Sequence, residues 1–417
     1  MSASGRAPLL KKTTPLGPSW RLSALAAGVV LVLVPTLAPG PGSVTTPPWC
    51  LICGERGGSD AIANTILFVP LGIALGFQQW KTIPSILFAF AITLLIETAQ
   101  LLVIPGRDAG IGDLLFNTTG AAFGLIMVRT AIRVAPHPAT RRVLQVTSGA
   151  IFGTVVILTG WLFQPDLEAD SYRSQWTQWR SRRDVYEGAV HSVHLGYREL
   201  PDGRVEDAGF VRAALTEGQP VVIQGTVGEP PRGFGAIFTL RGQRNRDIWT
   251  AGQRGNALII HYRPRAADFR LQEPDLEISM AMVTLAAGTP FTLSVARDWP
   301  GFHVELNEET YRIAFAARDG WRLFVYPIGV PRSSRWVLGY LWLAALAFPI
   351  GFWTDRNWKS VIGISFLVAG IAGASVMRLI APPGLADFLA IAVGIFAGAA
   401  SAWGFSWLLK PQPKHDS

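Results

Sequence analysis

The chain has 417 residues, 49% of them hydrophobic, and only 16% are Asp, Glu, Lys or Arg, against about 25% in ordinary soluble domains. That balance excludes an ordinary soluble enzyme. The net charge of +8 is not a nucleic-acid signal either, because the basic residues outside the central region sit in short turns between apolar runs, which is how membrane orientation is written.

The charges are clustered. Residues 163–333 hold 21 of the 29 acidic residues and 20 of the 31 arginines. The expected class is therefore an α-helical polytopic membrane protein of about eight transmembrane helices, with one water-soluble insert between helices 5 and 6. Eight apolar segments carry this expectation: 22–37, 61–78, 83–104, 111–131, 143–162, 335–353, 359–379 and 385–409. Most reach the ~20 residues that cross ~30 Å of hydrocarbon at ~1.5 Å per residue. The first is short and follows Arg6, Lys11, Lys12 and Arg21, like a signal peptide. The long tail before it, and Pro35, Pro39 and Pro41 at the likely cleavage site, favour an uncleaved helix.

The expected organisation is a tail over 1–21, a first helical unit over 22–135, a fifth helix over 143–162, the insert over 163–333, three closing helices over 335–409 and a tail over 410–417. Lys and Arg on alternate sides number 13 against 3, the minority being Arg56, Arg107 and Arg378. The positive-inside rule then places both tails in the cytoplasm and the insert outside.

The insert reads as a β-sandwich. Residues 257–263, 276–285, 291–297, 302–306, 311–315 and 322–326 are short and rich in β-branched or aromatic residues, and the stretch Thr226 to Leu240 is punctuated by Gly and Pro. Pro201-Asp202-Gly203, Asn307-Glu308 and Asp319-Gly320 are turn signals. Residues 166–186, with Trp176, Trp179, Arg180, Arg182 and Arg183, read instead as a short helix or neck at the headgroup level. Small residues four apart at Gly120/Gly124, Gly149/Gly153 and Gly394/Gly398 allow close helix packing.

Chemistry concentrates in 60–124. Asp60 and Asn64 are one turn apart. Glu97 and Gln100 share a helix face. Arg107 and Asp108 occupy a short loop, and Asp113 and Asn117 open the fourth helix. Glu97 lies about 10 Å beneath the outer surface by helical rise. A charge in lipid costs about 2.5–3.5 kcal/mol on insertion scales, so these groups must face protein or water. The expected compensation is Arg107 for a carboxylate, with Asn and Gln amides completing the hydrogen bonds.

The blocks N-T-I-L-F-V-P-L-G at 64–72, I-E-T-A-Q at 96–100, G-R-D at 106–108 and D-L-L-F-N-T-T-G at 113–120 resemble, as a set and by their spacing, the VanZ-like family. The resemblance covers about residues 20–135. Thr93 stands where the family often has Ser. The family takes its name from an accessory membrane protein of glycopeptide-antibiotic resistance. What the resemblance implies is a bacterial inner-membrane protein whose polar set falls on Asn64, Glu97, Gln100, Arg107, Asp113 and Asn117. It does not extend to a reaction. A second resemblance links Pro290 to Arg322 with the last strands of a concanavalin- or laminin-G-like sandwich, a class that often binds sugars, and it carries no binding residues.

Three functional readings follow. The first is an outer-leaflet polar pocket for an amphipathic or lipid-linked envelope molecule, with a glycan-contacting insert and a role in antibiotic resistance or envelope polysaccharide handling. The second is a membrane hydrolase or transferase acting on a polyprenyl-linked or polysaccharide substrate, with Glu97 or Asp113 as base. The third is a scaffold for a partner protein. Against the first stands a plainer role, in which the same residues simply hold helices together.

The expected partners are lipid and an envelope precursor or glycan, with no nucleic acid, cofactor or metal. On a strand His191 and His194 point to opposite faces, so with His261 and His303 they read as ordinary sandwich residues. Cys50 and Cys53 read as a loop staple or two free thiols rather than a redox pair. Asp387 reads as a capping carboxylate. The sequon Asn117-Thr118-Thr119 lies within a helix and is set aside.

Overall fold

Apolar runs become helices and the charged middle becomes sheet. The computed structural model describes residues 19–39, 47, 49–78, 80–107, 109–176, 185–325, 334–354 and 361–408. Five helices come first: α1 (Ser19–Thr36), α2 (Gly57–Gly76), α3 (Thr82–Leu102), α4 (Ile111–Val134) and α5 (Pro138–Leu162). After the β region come α7 (Arg335–Phe352), α8 (Val361–Val376) and α9 (Leu385–Leu408). Seven of these eight are long and apolar enough to cross a membrane. The eighth, α8, is apolar but shorter, 16 residues against the ~20 a spanning helix needs.

The chain divides into two compact units. The first comprises 1–149, 344–364 and 391–417, the second 150–343 and 365–390. In the first unit, small residues bring backbones together. A Cβ on Gly120 of α4 would stand 2.0 Å from the Thr65 carbonyl of α2, and one on Gly72 of α2 would meet Ala121 O at 2.0 Å. Gly124 likewise lies against Val69 O. Phe68, Leu71, Leu75, Ala89, Ile96, Ala121 and Leu125 fill the space around this crossing. Gly394 and Gly398 of α9 approach Ala344 and Phe348 of α7 in the same way, and Gly149 of α5 meets Gly363 of α8.

In the second unit, Gly153 of α5 packs on Gly370 of α8, so all three spaced glycine pairs lie at helix contacts. The β domain has two six-stranded antiparallel sheets. The first runs, in order, β4 (Gly203–Val205), β1 (Tyr172–Gln175), β6 (Phe234–Arg241), β7 (Asp247–Arg254), β8 (Ala257–Tyr262) and β9 (Leu276–Ile278). The second runs β12 (Glu309–Ile313), β11 (Gly301–Leu306), β10 (Pro290–Asp298), β5 (Val221–Thr226), β2 (Ala189–Leu195) and β3 (Arg198–Glu199). Aromatic rings bridge them, with Tyr262 of β8 5.2 Å from Phe302 of β11. Strand alternation is plain in β10, where Phe291, Leu293 and Val295 are buried between exposed or half-buried neighbours. Asn307 turns β11 into β12 with φ 53°, a conformation Asn tolerates.

The structure corrects three sequence expectations. Residues 172–175 are strand β1, not a neck: Tyr172 and Ser174 point inward while Arg173 is exposed, and the Tyr172 hydroxyl donates to Leu167 O. Trp179, Arg180, Arg182 and Arg183 lie outside the described residues, as do Asp108 and the greater part of both tails. The segment 276–285 yields only β9, because Met280 adopts φ 65° and Met282 N–H donates to Asn256 O, leading the chain off the sheet. Residues 317–323 form a 3₁₀ turn in place of a strand at 322–326; Asp319 accepts the Ala316 N–H and so starts that turn. The helix α6 (Ala208–Glu217) was not anticipated. Asp207 caps it by accepting Phe210 N–H, and Gly218 ends it at φ 81°.

Candidate functional site

At the end of the first unit where α2 and α4 begin and α3 ends, five of the six sequence-selected residues are held in named interactions. Asn64 on α2 donates to Asp113 Oδ1 on α4 at 2.5 Å. Glu97 on α3 accepts the Gly110 N–H at 3.0 Å. Gly110 is the residue just before α4, so the carboxylate sits at that helix's start, where its dipole favours negative charge. Gln100, one turn along α3, donates to Thr36 O at the end of α1 (2.8 Å).

Arg107 departs from the expectation. Its guanidinium donates to Pro35 O (2.9 Å) and Ala38 O (3.1 Å), and among the described residues it makes no carboxylate ion pair. The physical reason is the geometry of α1. Pro35 occupies its last turn and Pro39 lies just beyond its end, and proline lacks an N–H to continue the ladder. The chain turns away there, leaving carbonyls that the α3–α4 loop can reach. Asn117, one turn below Asp113, is 2% exposed. Its Oδ1 is buried with no hydrogen-bond partner among the described residues. That orphan acceptor could not be read from sequence, since any helix position with Asn looks the same.

Thr93, one turn before Glu97, is buried and returns its hydroxyl to Ala89 O. Cys50 and Cys53 are joined as a disulfide with Cα atoms 5.8 Å apart. This small ring packs on the starts of α2 and α4. A Cβ on Gly57 would meet Ile52, and one on Gly112 would meet Leu51 O at 2.3 Å.

The β domain satisfies its polar groups differently. His261 Nδ1 lies 3.1 Å from Asp275 Oδ1, and Arg254 donates to the other oxygen at 3.2 Å. Burial pushes His261 down, but the hydrogen bond and charge of Asp275, with Glu273 behind it, outweigh burial and raise it above its ordinary value. Burial pushes Asp275 up, and His261 and Arg254 together bring it below its usual range. His303 pairs with Glu305. Among the described residues no three His, Cys, Asp or Glu are grouped as metal ligands. Asp387, at the start of α9, accepts the Gly384 N–H as a capping carboxylate does, and it also pairs with Arg318 at 2.9 Å while only 3% exposed. The sequence reading missed that pair, because the two residues are 69 positions apart.

Spanning helices around an inserted pair of sheets define a multi-pass membrane protein with an inserted β domain. Residues 20–133 match the family model described as VanZ/LLP1, so this part of the chain is a VanZ-like domain. No curated protein and no solved structure matches the chain.

Proposed function

We propose that the VanZ-like helices hold the polar part of an amphipathic or lipid-linked envelope molecule among Asn64, Glu97, Gln100, Arg107, Asp113 and Asn117. The carrying observation is the buried Asn117 Oδ1, without a hydrogen-bond partner among the described residues, one turn below the Asn64–Asp113 pair. A buried acceptor without a donor costs about 1–3 kcal/mol, and an incoming hydroxyl or amide would relieve that cost. The distribution of Lys and Arg supports an outward-facing site in a bacterial inner membrane, with cytoplasmic termini and an extracytoplasmic β domain.

On the same reading the β domain contacts glycan. Gln175, Thr239, Thr250 and His261 lie directly opposite one another across β1, β6, β7 and β8; Thr239 and Thr250 in the middle are buried, and the half-buried Gln175 at the end of the row is the member that a glycan would reach.

The test is a set of Glu97→Ala, Arg107→Ala and Asn117→Leu variants in cells, scored for glycopeptide and other envelope-antibiotic sensitivity and for envelope glycan. Altered sensitivity with normal membrane levels is the expected result. Unchanged phenotypes from folded variants would overturn the proposal. A second reading is favoured by Glu97 accepting from Gly110, three residues before Asp113, with neither carboxylate in an ion pair within 4 Å among the described residues. In it, one of the two carboxylates acts as a general base in a hydrolase or transferase. Turnover of a polyprenyl-linked substrate by purified protein, lost in Glu97→Gln, would establish it.

A further inference from the structure

In the β domain Arg265, beside the last turn of α5, and Arg297 make no ion pair among the described residues. Arg265 opens the 3₁₀ turn Arg265–Phe269, and its guanidinium lies over the Trp161 ring, 5.3 Å from the centroid. Trp161 is the penultimate residue of α5. Arg297, at the end of β10, lies flat on Trp299 at 3.5 Å. Packed rings connect the two: Arg297 stands opposite Phe302 on β11, the Phe302 ring lies 5.2 Å from that of Tyr262, and the Tyr262 hydroxyl donates to Phe163 O, two residues beyond Trp161. Burial brings Arg297 down to about 10, Tyr262 opposing it and the Arg265 charge adding to it. It therefore remains a cation at neutral pH.

The adjacent carboxylates are engaged elsewhere. Asp268 pairs with Arg263, and Asp298 lies 3.5 Å from Arg312. The Arg297 Nε is buried and unbonded among the described residues. Arg265 is exposed and free to meet a ligand, while Arg297, partly buried on its aromatic plate and with no ion pair among the described residues, would gain from an anion that completes it.

The location selects the anion. Trp161 ends a membrane-crossing helix, and its ring meets that of Phe269 at 6.0 Å. Phe269 is 55% exposed and Trp299 38% exposed. Aromatic rings with a polar rim, next to arginines at the end of a spanning helix, match the boundary between hydrocarbon and headgroups. We propose that Arg265 and Arg297, framed by Trp161, Phe269 and Trp299, bind the headgroup phosphate of an anionic phospholipid and seat the β domain against the bilayer surface.

The test uses full-length protein in nanodiscs of phosphatidylcholine mixed with phosphatidylglycerol, with lipid retained after mild delipidation counted by native mass spectrometry. Wild type should retain phosphatidylglycerol over phosphatidylcholine by roughly tenfold or more, the size two arginines produce at an anionic surface. Arg265→Gln/Arg297→Gln should bring the ratio to near parity. Arg265→Lys/Arg297→Lys should keep most of it, and Arg204→Gln, on β4, should keep all of it. Millimolar inorganic phosphate should not displace the lipid. Equal retention of the two lipids by wild type, or an unchanged preference in the Gln double variant, would overturn the assignment. Displacement by inorganic phosphate would overturn the lipid as occupant. If the Gln variant unfolds, parity in the folded Lys variant together with no wild-type preference decides against the proposal, and a retained preference in both decides for it.

Discussion

In the VanZ-like helices Glu97 rests on the Gly110 N–H and Asp113 on the Asn64 amide, whereas in the β domain Asp275 is held by His261 and Arg254, and Asp166 by Arg263. In the first the donors to these carboxylates are an amide and a backbone N–H; in the second they are ionisable side chains. The difference follows from solvent. In the β domain these side chains are only partly exposed, Arg263 at 12% and Asp275 at 28%, and an opposite charge there offsets part of the desolvation that each carboxylate suffers. Among spanning helices a second full charge brings its own desolvation cost, while an amide or a helix start offers a donor without one. Arg107 illustrates the point: it lies in the α3–α4 loop and spends its donors on the carbonyls of Pro35 and Ala38.

The contrast can be broken most forcefully at Arg318. Removing it by Arg318→Ala leaves Asp387 buried with only the Gly384 N–H. A loss of about 3 kcal/mol is expected, the lower end of what breaking a buried pair costs, read as the unfolding midpoint of full-length protein in detergent. Next comes Gly120→Ala, whose new methyl meets Thr65 O. Overpacking costs about 1–3 kcal/mol, and because the obstacle is backbone the upper half of that range is expected, with lower membrane accumulation.

Asp275→Asn should cost about 1–3 kcal/mol through the loss of charge to His261 and Arg254, and it carries a pH signature. Asp275 is depressed when folded and His261 is raised. The Asp275 contribution is therefore present above about pH 3.9 and lost as pH falls through the folded value. The His261 contribution is full below about pH 6.5 and lost as pH rises through the folded value. Hydrogen exchange of the β8 amides in full-length protein should show greatest protection between those limits, and His261→Ala should remove the alkaline decline. The smallest effect is expected from Glu97→Gln, which keeps an acceptor for Gly110: under about 1.5 kcal/mol. If it destabilises more than Arg318→Ala, the two regions do not differ in the way argued above.

The spanning helices were legible because an apolar run of twenty residues has few other fates, and the VanZ-like unit because four short blocks recur at fixed spacing. The hairpins β10–β11 and β11–β12 were legible from alternation and from Asn307. What escaped depended on local hydrogen bonds that compete with pattern. Asp207 and Gly218 turned an unremarked stretch into α6, Asp319 tightened an aromatic run into a 3₁₀ turn, and Tyr172, anchored to Leu167 O, leads residues 172–175 into the first sheet. In the candidate site, the residue types were readable but their partners were not. Arg107 turned from carboxylates to carbonyls, and Asn117 was left without a donor for its Oδ1.

The ion pair between Arg318 and Asp387 has a consequence for biogenesis. Its two halves are 69 residues apart, and a ribosome adds about 5–20 residues per second. Arg318 is thus made and delivered seconds before its counterpart exists. Until Asp387 arrives with the last helix, Arg318 has to stay solvated, and the joint closes only then. Assembly of this end of the molecule is therefore a late, post-insertion event, and a nascent chain stalled before Asp387 would expose the seam to protease.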